Sequence, residues 1–297
     1  MANCLNHKTK CNMTILCPTD FSSLATAACR VALRIASERG YNVHILHAYQ
    51  QFRSAFQGQL ENEADKERIR HEAHSEMKRF VGSLDLSGTK ANVTYSLSEE
   101  DLVKAVHKYS EDVPVALVIL GTEGATGLAG ALVGSNSYNL AKNATVPVLI
   151  IPDGYVDGDY NRTIFFTDYQ VSDVETLRAM KLVFGSDKAN HCTLIHITDS
   201  DDAEEVTKLD QNLSEWRDHL GAELGLAGLS FSVVLGEEHI ATVNNILKSQ
   251  QAGLALLTVI GGRNFFERIA KKSLARAIIL NHCVPVFLFN HDRSENS

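Results

Sequence analysis

Met13-Thr14-Ile15-Leu16-Cys17-Pro18-Thr19-Asp20-Phe21-Ser22, near the start of the chain, and Thr163-Ile164-Phe165-Phe166-Thr167-Asp168-Tyr169, near its middle, are two copies of one pattern. In each, an apolar run leads into Thr-Asp, which reads as a strand ending in a turn. A helical period follows each copy, Ser22 to Arg39 and Ser172 to Phe184, and then a second apolar run closes on Leu46-His47-Ala48 or Ile195-His196-Ile197. Each half ends on a third matching pair, Val146 to Ile151 against Val284 to Phe289, with the β-branched composition of a buried strand. The chain is one plan written twice.

Between these anchors each half alternates strand-like and helix-like segments. In the first these are Asn92 to Leu97, Glu99 to Tyr109 and Val115 to Leu120; in the second, Ser230 to Leu235, His239 to Ser249 and Leu254 to Ile260. Alternation of this kind predicts parallel sheets with helices on both faces. The acidic, glycine-bearing stretch Asp153 to Asn161 has no period and follows Pro152, so it is the linker. The expected domains are therefore 1–152 and 162–297, joined by 153–161. Two charge-rich stretches, about Gln59 to Val81 and Asp202 to Leu220, read as solvated helices with one packed face.

A length of 297 residues suits two cores better than one. With 28 Lys and Arg against 36 Asp and Glu, the net charge of -8 repels phosphate backbones and anionic lipid, which argues against nucleic acid and membrane surfaces as partners. No apolar run approaches the ~20 residues that span a bilayer, and the opening residues carry no signal-like stretch, so a cytoplasmic protein is expected. The six cysteines are scattered, without close pairs. Cys4, His7 and Cys11 lack a fourth ligand. His71 and His74, spaced i, i+3 among charges, read as a wet helix face rather than a metal site.

Chemistry concentrates in Val118-Ile119-Leu120-Gly121-Thr122-Glu123-Gly124-Ala125-Thr126-Gly127 and its continuation Val133-Gly134-Ser135-Asn136-Ser137. Gly121 and Gly124 leave the carboxyl end of a predicted strand, where open parallel sheets bind ligands, and Gly134 precedes a predicted helix from Ser135 to Ala144. Glycine lets backbone approach a phosphate, and helix amino-terminal amides favour its charge. The plainer readings are that these glycines make a turn and that Asp20 caps the helix beginning near Ser22. His47 and His196, at equivalent strand ends with no nucleophile spaced to couple with them, read as satisfied near-core residues.

Glycine, two residues, glycine, nine residues and Gly-Ser resembles the nucleotide loop of ATP-binding universal stress proteins, matched by Gly121, Gly124, Gly134 and Ser135. The Pro-Thr-Asp-Phe-Ser opening, the Leu-His close of the second strand and the Val-Pro-Val last strand resemble the same family over nearly the whole chain. The resemblance implies an α/β fold: two tandem open parallel-sheet domains, Rossmann-like and similar to adenine nucleotide alpha hydrolases, packed as a pseudo-dimer through their last strands. It further implies that Thr19 is nucleotide-binding, that Asp20 contacts the adenosine part, that Ala48 lies against the base, and that the loop glycines and Ser135 hold phosphates. Glu123 and Ala125 depart from the family's basic pattern beside the phosphates. In the second half Val259, Gly262, Lys272 and Ser273 stand where the first has Gly121, Gly124, Gly134 and Ser135, so that half is expected to be structural.

The functional expectation is a stress-response binding module that holds ATP, ADP or AMP in its first half, with or without Mg2+, and signals occupancy to an unknown protein partner. Two alternatives stay open: an interaction scaffold without nucleotide, and a weak ATP hydrolase. The first half has no Walker lysine, no paired-carboxylate magnesium signature and no evident general base, so no catalytic residue is assigned. The whole chain is expected to be an intra-chain pseudo-dimer, with a homodimer left open.

Overall fold

The computed structural model describes residues 13–49, 59–122, 135–155, 158, 160–237, 240–259, 278–279 and 284–290. Its contacts divide the chain into two compact units, 1–129 and 130–297.

The first unit runs β1 (Thr14–Pro18), α1 (Ser23–Arg39), β2 (Asn42–Ala48), α2 (Gln59–Ser83), β3 (Val93–Ser98), α3 (Leu102–Asp112) and β4 (Val115–Gly121). Its strands lie in the order β3-β2-β1-β4, all parallel. Central β1 is buried at every residue and β4 at all but its last, as expected for strands covered on both faces. Helix α1 starts where the Ser22 hydroxyl accepts the Ala25 N–H at 3.1 Å. It stops at Gly40, whose left-handed φ of 71° lets its N–H reach the Ala36 carbonyl.

Helix α2 buries Ala73, Met77 and Phe80 and exposes His71 and His74. Among the described residues no three His, Cys, Asp or Glu side chains are grouped to hold a metal ion. One polar feature escapes the sequence pattern. His44, on β2, meets the hydroxyls of Thr94 and Ser96 on β3 at 2.7 and 2.8 Å, and its ring stacks on Tyr109 of α3 at 4.2 Å. Burial pushes its pKa down to about 4, so it is neutral at pH 7.

The second unit comprises α4 (Ser135–Asn143), β5 (Val148–Ile151), β6 (Thr163–Phe166), α5 (Asp173–Phe184), α6 (Ser186–Asn190), β7 (Cys192–Thr198), α7 (Ala203–Leu224), β8 (Ser230–Leu235), α8 (Ile240–Ser249), β9 (Leu254–Val259) and β10 (Val286–Asn290). The strand order is β5-β10-β9-β6-β7-β8. All neighbours are parallel except β5 and β10, which run antiparallel with Leu149 opposite Phe287. The closing strands of the two sequence repeats therefore pair, and both residues at the centre of the pair are fully buried. By contacts β5 groups with the second repeat, so the compact units part at 129/130. Within the expected linker, Tyr160 is buried, its ring 4.7 Å from that of Phe184. Short α6 has no counterpart in the sequence reading.

Candidate functional site

In the first unit the chain leaves β1 toward β2 on one side, and β4 is inserted on the other. The crevice at the carboxyl ends of β1 and β4 is therefore the topological switch point, the place where open parallel sheets admit ligands.

The turn out of β1 is fixed by a series of local bonds. The Thr19 N–H donates to the Leu46 carbonyl at 2.9 Å, and the Thr19 hydroxyl accepts the Phe21 N–H at 2.9 Å. Asp20 Oδ1 accepts the Ser22 N–H at 3.1 Å. The cap of α1 is thus Ser22, while Asp20 sets the turn before it. Phe21 carries a left-handed φ of 67°, a conformation that costs an L residue roughly 1–2 kcal/mol. Its ring is held against His47 at 4.2 Å and Phe80 at 5.7 Å. His47 Nδ1 donates to the Thr19 carbonyl at 2.7 Å, tying the ends of β1 and β2 together.

Four of the seven expected site residues therefore occupy this edge: Thr19, buried; Asp20 and Ala48, half-buried; and Gly121, the last residue of β4. The register that sets Leu16 beside Val118 and Pro18 beside Leu46 aligns the three strand ends. Ser135 is the first residue of α4. Gly124, Gly134, Glu123 and Ala125 lie outside the described residues, as do Cys4, His7 and Cys11. Gly121 has a packing reason of its own: a Cβ there would stand 2.9 Å from Leu24 Cβ, at the start of α1.

The second unit repeats the turn. The Thr167 N–H donates to the Ile195 carbonyl at 3.0 Å, the Tyr169 N–H to the Thr167 hydroxyl at 3.0 Å, and Tyr169 has a φ of 59°. His196 Nδ1 donates to the Thr167 carbonyl at 3.0 Å, with the Tyr169 ring at 4.8 Å. Both histidines hold a strand-end carbonyl. Buried Val259 fills the place of Gly121, while Gly262, Lys272 and Ser273 lie outside the described residues.

The universal stress protein family model matches residues 12–152, which contain the whole of this strand-end site. Through this half, the chain is similar to the universal stress protein family. A universal stress protein of Methanocaldococcus jannaschii is 28% identical over 155 residues, covering 46% of this chain and 93% of the relative. Universal stress protein G of Salmonella typhimurium is 28% identical over 144 residues, covering 46% and 97%. The crystal structure of a universal stress protein from Archaeoglobus fulgidus superposes over 94% of this chain and 96% of its own, with a TM-score of 0.60 at 19% identity. That likeness extends the family fold to the second half.

Proposed function

We propose that the first unit binds an adenine nucleotide, ATP, ADP or AMP with or without Mg2+, at the carboxyl ends of β1, β2 and β4, and that occupancy is a regulatory signal in the cytoplasm. The observation that carries the reading is the convergence of Thr19, Asp20, Ala48 and Gly121 at the switch point of the half that matches the family. Asp20, a half-buried carboxylate at the mouth, suits the hydroxyls of a ribose. Ala48, small and at the end of β2, suits contact with a flat base, and Gly121, Gly124, Gly134 and Ser135 are the residues assigned to the phosphates. His47 is spent on the Thr19 carbonyl, and the role proposed for the site is binding rather than turnover.

One observation favours a second reading, an interaction scaffold without nucleotide: the contact with Leu24 explains Gly121 without any ligand. Mass spectrometry of small molecules released from the purified protein, followed by an ATP turnover assay, decides between them. A released adenine nucleotide with no turnover supports the proposal. No nucleotide, and none taken up on titration, supports the scaffold, and turnover above background supports the hydrolase.

A further inference from the structure

The amino-terminal edge of the second unit's sheet carries a polar cavity of about 640 Å3, open to solvent, at the opposite end of the strands from Thr167 and His196. Among the described residues its walls include Asn161, Arg162, Ile164, His191, Thr193 and Ser230, and no acidic residue. That volume is in the range of small-molecule sites. The described walls hold no Phe, Tyr or Trp to take a base, so the cavity suits a polar molecule smaller than a nucleotide.

The first unit closes the same place with side chains. Thr19 and His47 match Thr167 and His196, because the bond between them is repeated. Counting back three places along each strand matches Leu16 and His44 with Ile164 and Thr193. The registers agree: Leu16 lies beside His44 and His44 beside Thr94, while Ile164 lies beside Thr193 and Thr193 beside Ser230. In the first unit the His44 imidazole, 7% exposed, meets the hydroxyls of Thr94 and Ser96 and stacks on Tyr109. In the second, the Thr193 and Ser230 hydroxyls meet each other at 2.7 Å, and Ser230 is exposed. Threonine in place of histidine removes the ring that closes the layer, and the cavity stands where that ring would be.

Charge decides what the cavity suits. Arg162 Nη1 donates to Gln251 Oε1, and Lys188 Nζ donates to Asn161 Oδ1. Both acceptors are neutral amides, and among the described residues neither cation is paired with a carboxylate. An amide oxygen fixes a cation in place without cancelling its charge, so two held positive charges border a cavity in a chain whose net charge is -8. The carboxyl end of α8 opposes an anion with only about half a unit of charge, and the carbonyls of Ile246, Leu247 and Lys248 there are taken by backbone N–H groups. We propose that this cavity binds a small hydroxylated oxyanion, a phosphomonoester or a carboxylate. Arg162 and Lys188 hold the oxyanion, and Asn161, His191, Thr193 and Ser230 bond the hydroxyl groups of its body above Ile164. The site does not depend on the nucleotide proposed for the first unit.

Amide chemical-shift mapping of the full chain, titrated with glycerol 3-phosphate, with malate and, as the uncharged probe, with glycerol, tests the site. Saturable shifts are expected at residues 161–164, 191–193 and 228–230 with one or both anions, half complete at about 1 mM or below, and none with glycerol. The tighter of the two anions identifies the oxyanion as phosphate or carboxylate. Arg162→Gln, at an exposed position, is expected to weaken binding about tenfold or more, because a charge-assisted bond is lost. Thr193→His, which returns the first unit's ring to its place, is expected to abolish it. Equal shifts with glycerol, shifts confined to Thr19, Asp20 and Gly121, or an affinity unchanged by either variant would overturn the proposal. The comparison of anions with glycerol is made on the wild-type chain, so it holds even where a variant fails to fold, and shifts confined to the first unit would leave the nucleotide reading standing.

Discussion

Gly121 shows how one residue can satisfy two explanations at once. In the sequence it is the first glycine of a loop that suits phosphates; in the fold it is also the point where β4 approaches α1 so closely that a Cβ would stand 2.9 Å from Leu24 Cβ. Leu24 Cβ is not the far end of a flexible side chain, so an added methyl must move the helix. Gly121→Ala is expected to cost about 1–3 kcal/mol of unfolding free energy, measured by urea titration. A cost below about 0.5 kcal/mol would mean that α1 yields freely and that the contact does not explain the glycine. The spacing of the glycines was legible, but their packing was not, because the neighbour of Gly121 lies 97 positions earlier on an element whose tilt no local pattern encodes. The same limit hid His44 and Asp173, polar residues inside apolar surroundings whose hydroxyl partners come from other strands.

At the scale of elements, periodicity located nearly every helix and strand, and capping chemistry placed several ends. Ser22, Asp101 and Asp202 accept first-turn N–H groups, and Gly40 and Gly225 take the left-handed conformation at helix exits. Glu99 to Tyr109 was expected as a helix, but α3 begins at Leu102 because the Asp101 side chain caps there, accepting the Lys104 N–H at 3.1 Å. In α2 the question was whether His71 and His74 form a functional face. They lie on the wet side, opposite Ala73, Met77 and Phe80. Met77→Ala is expected to destabilise the protein by about 2–5 kcal/mol, and His74→Ala to stay within about 0.5 kcal/mol, in the same denaturant titration. Comparable losses from both would show that the histidine face is engaged by something.

At the scale of the whole molecule, the two halves share a fold and differ in what occupies the switch point. The first presents Thr19, Asp20, Ala48 and Gly121 at its strand ends. The second has buried Val259 at the place of Gly121 and buried Asp173 bonded to Thr258 beside it. Titration calorimetry with an adenine nucleotide is therefore expected to give one site per chain, lost in Gly134→Lys and retained in Ser273→Ala. Two sites per chain would contradict this asymmetry. By itself the sequence determined the repeat, the α/β class and the pairing of the closing strands. These follow from local periodicity, turn chemistry and the need to cover apolar edge strands, all carried by neighbouring residues. Only the tertiary structure decided that β5 groups with the second repeat, that Gly121 packs on Leu24, that each strand-end histidine holds a carbonyl, and that Asp173 is buried among threonines. Each of those depends on which distant side chains the crossovers bring within hydrogen-bond or van der Waals reach, and close packing settles that at a precision of tenths of an ångström that no sequence period contains.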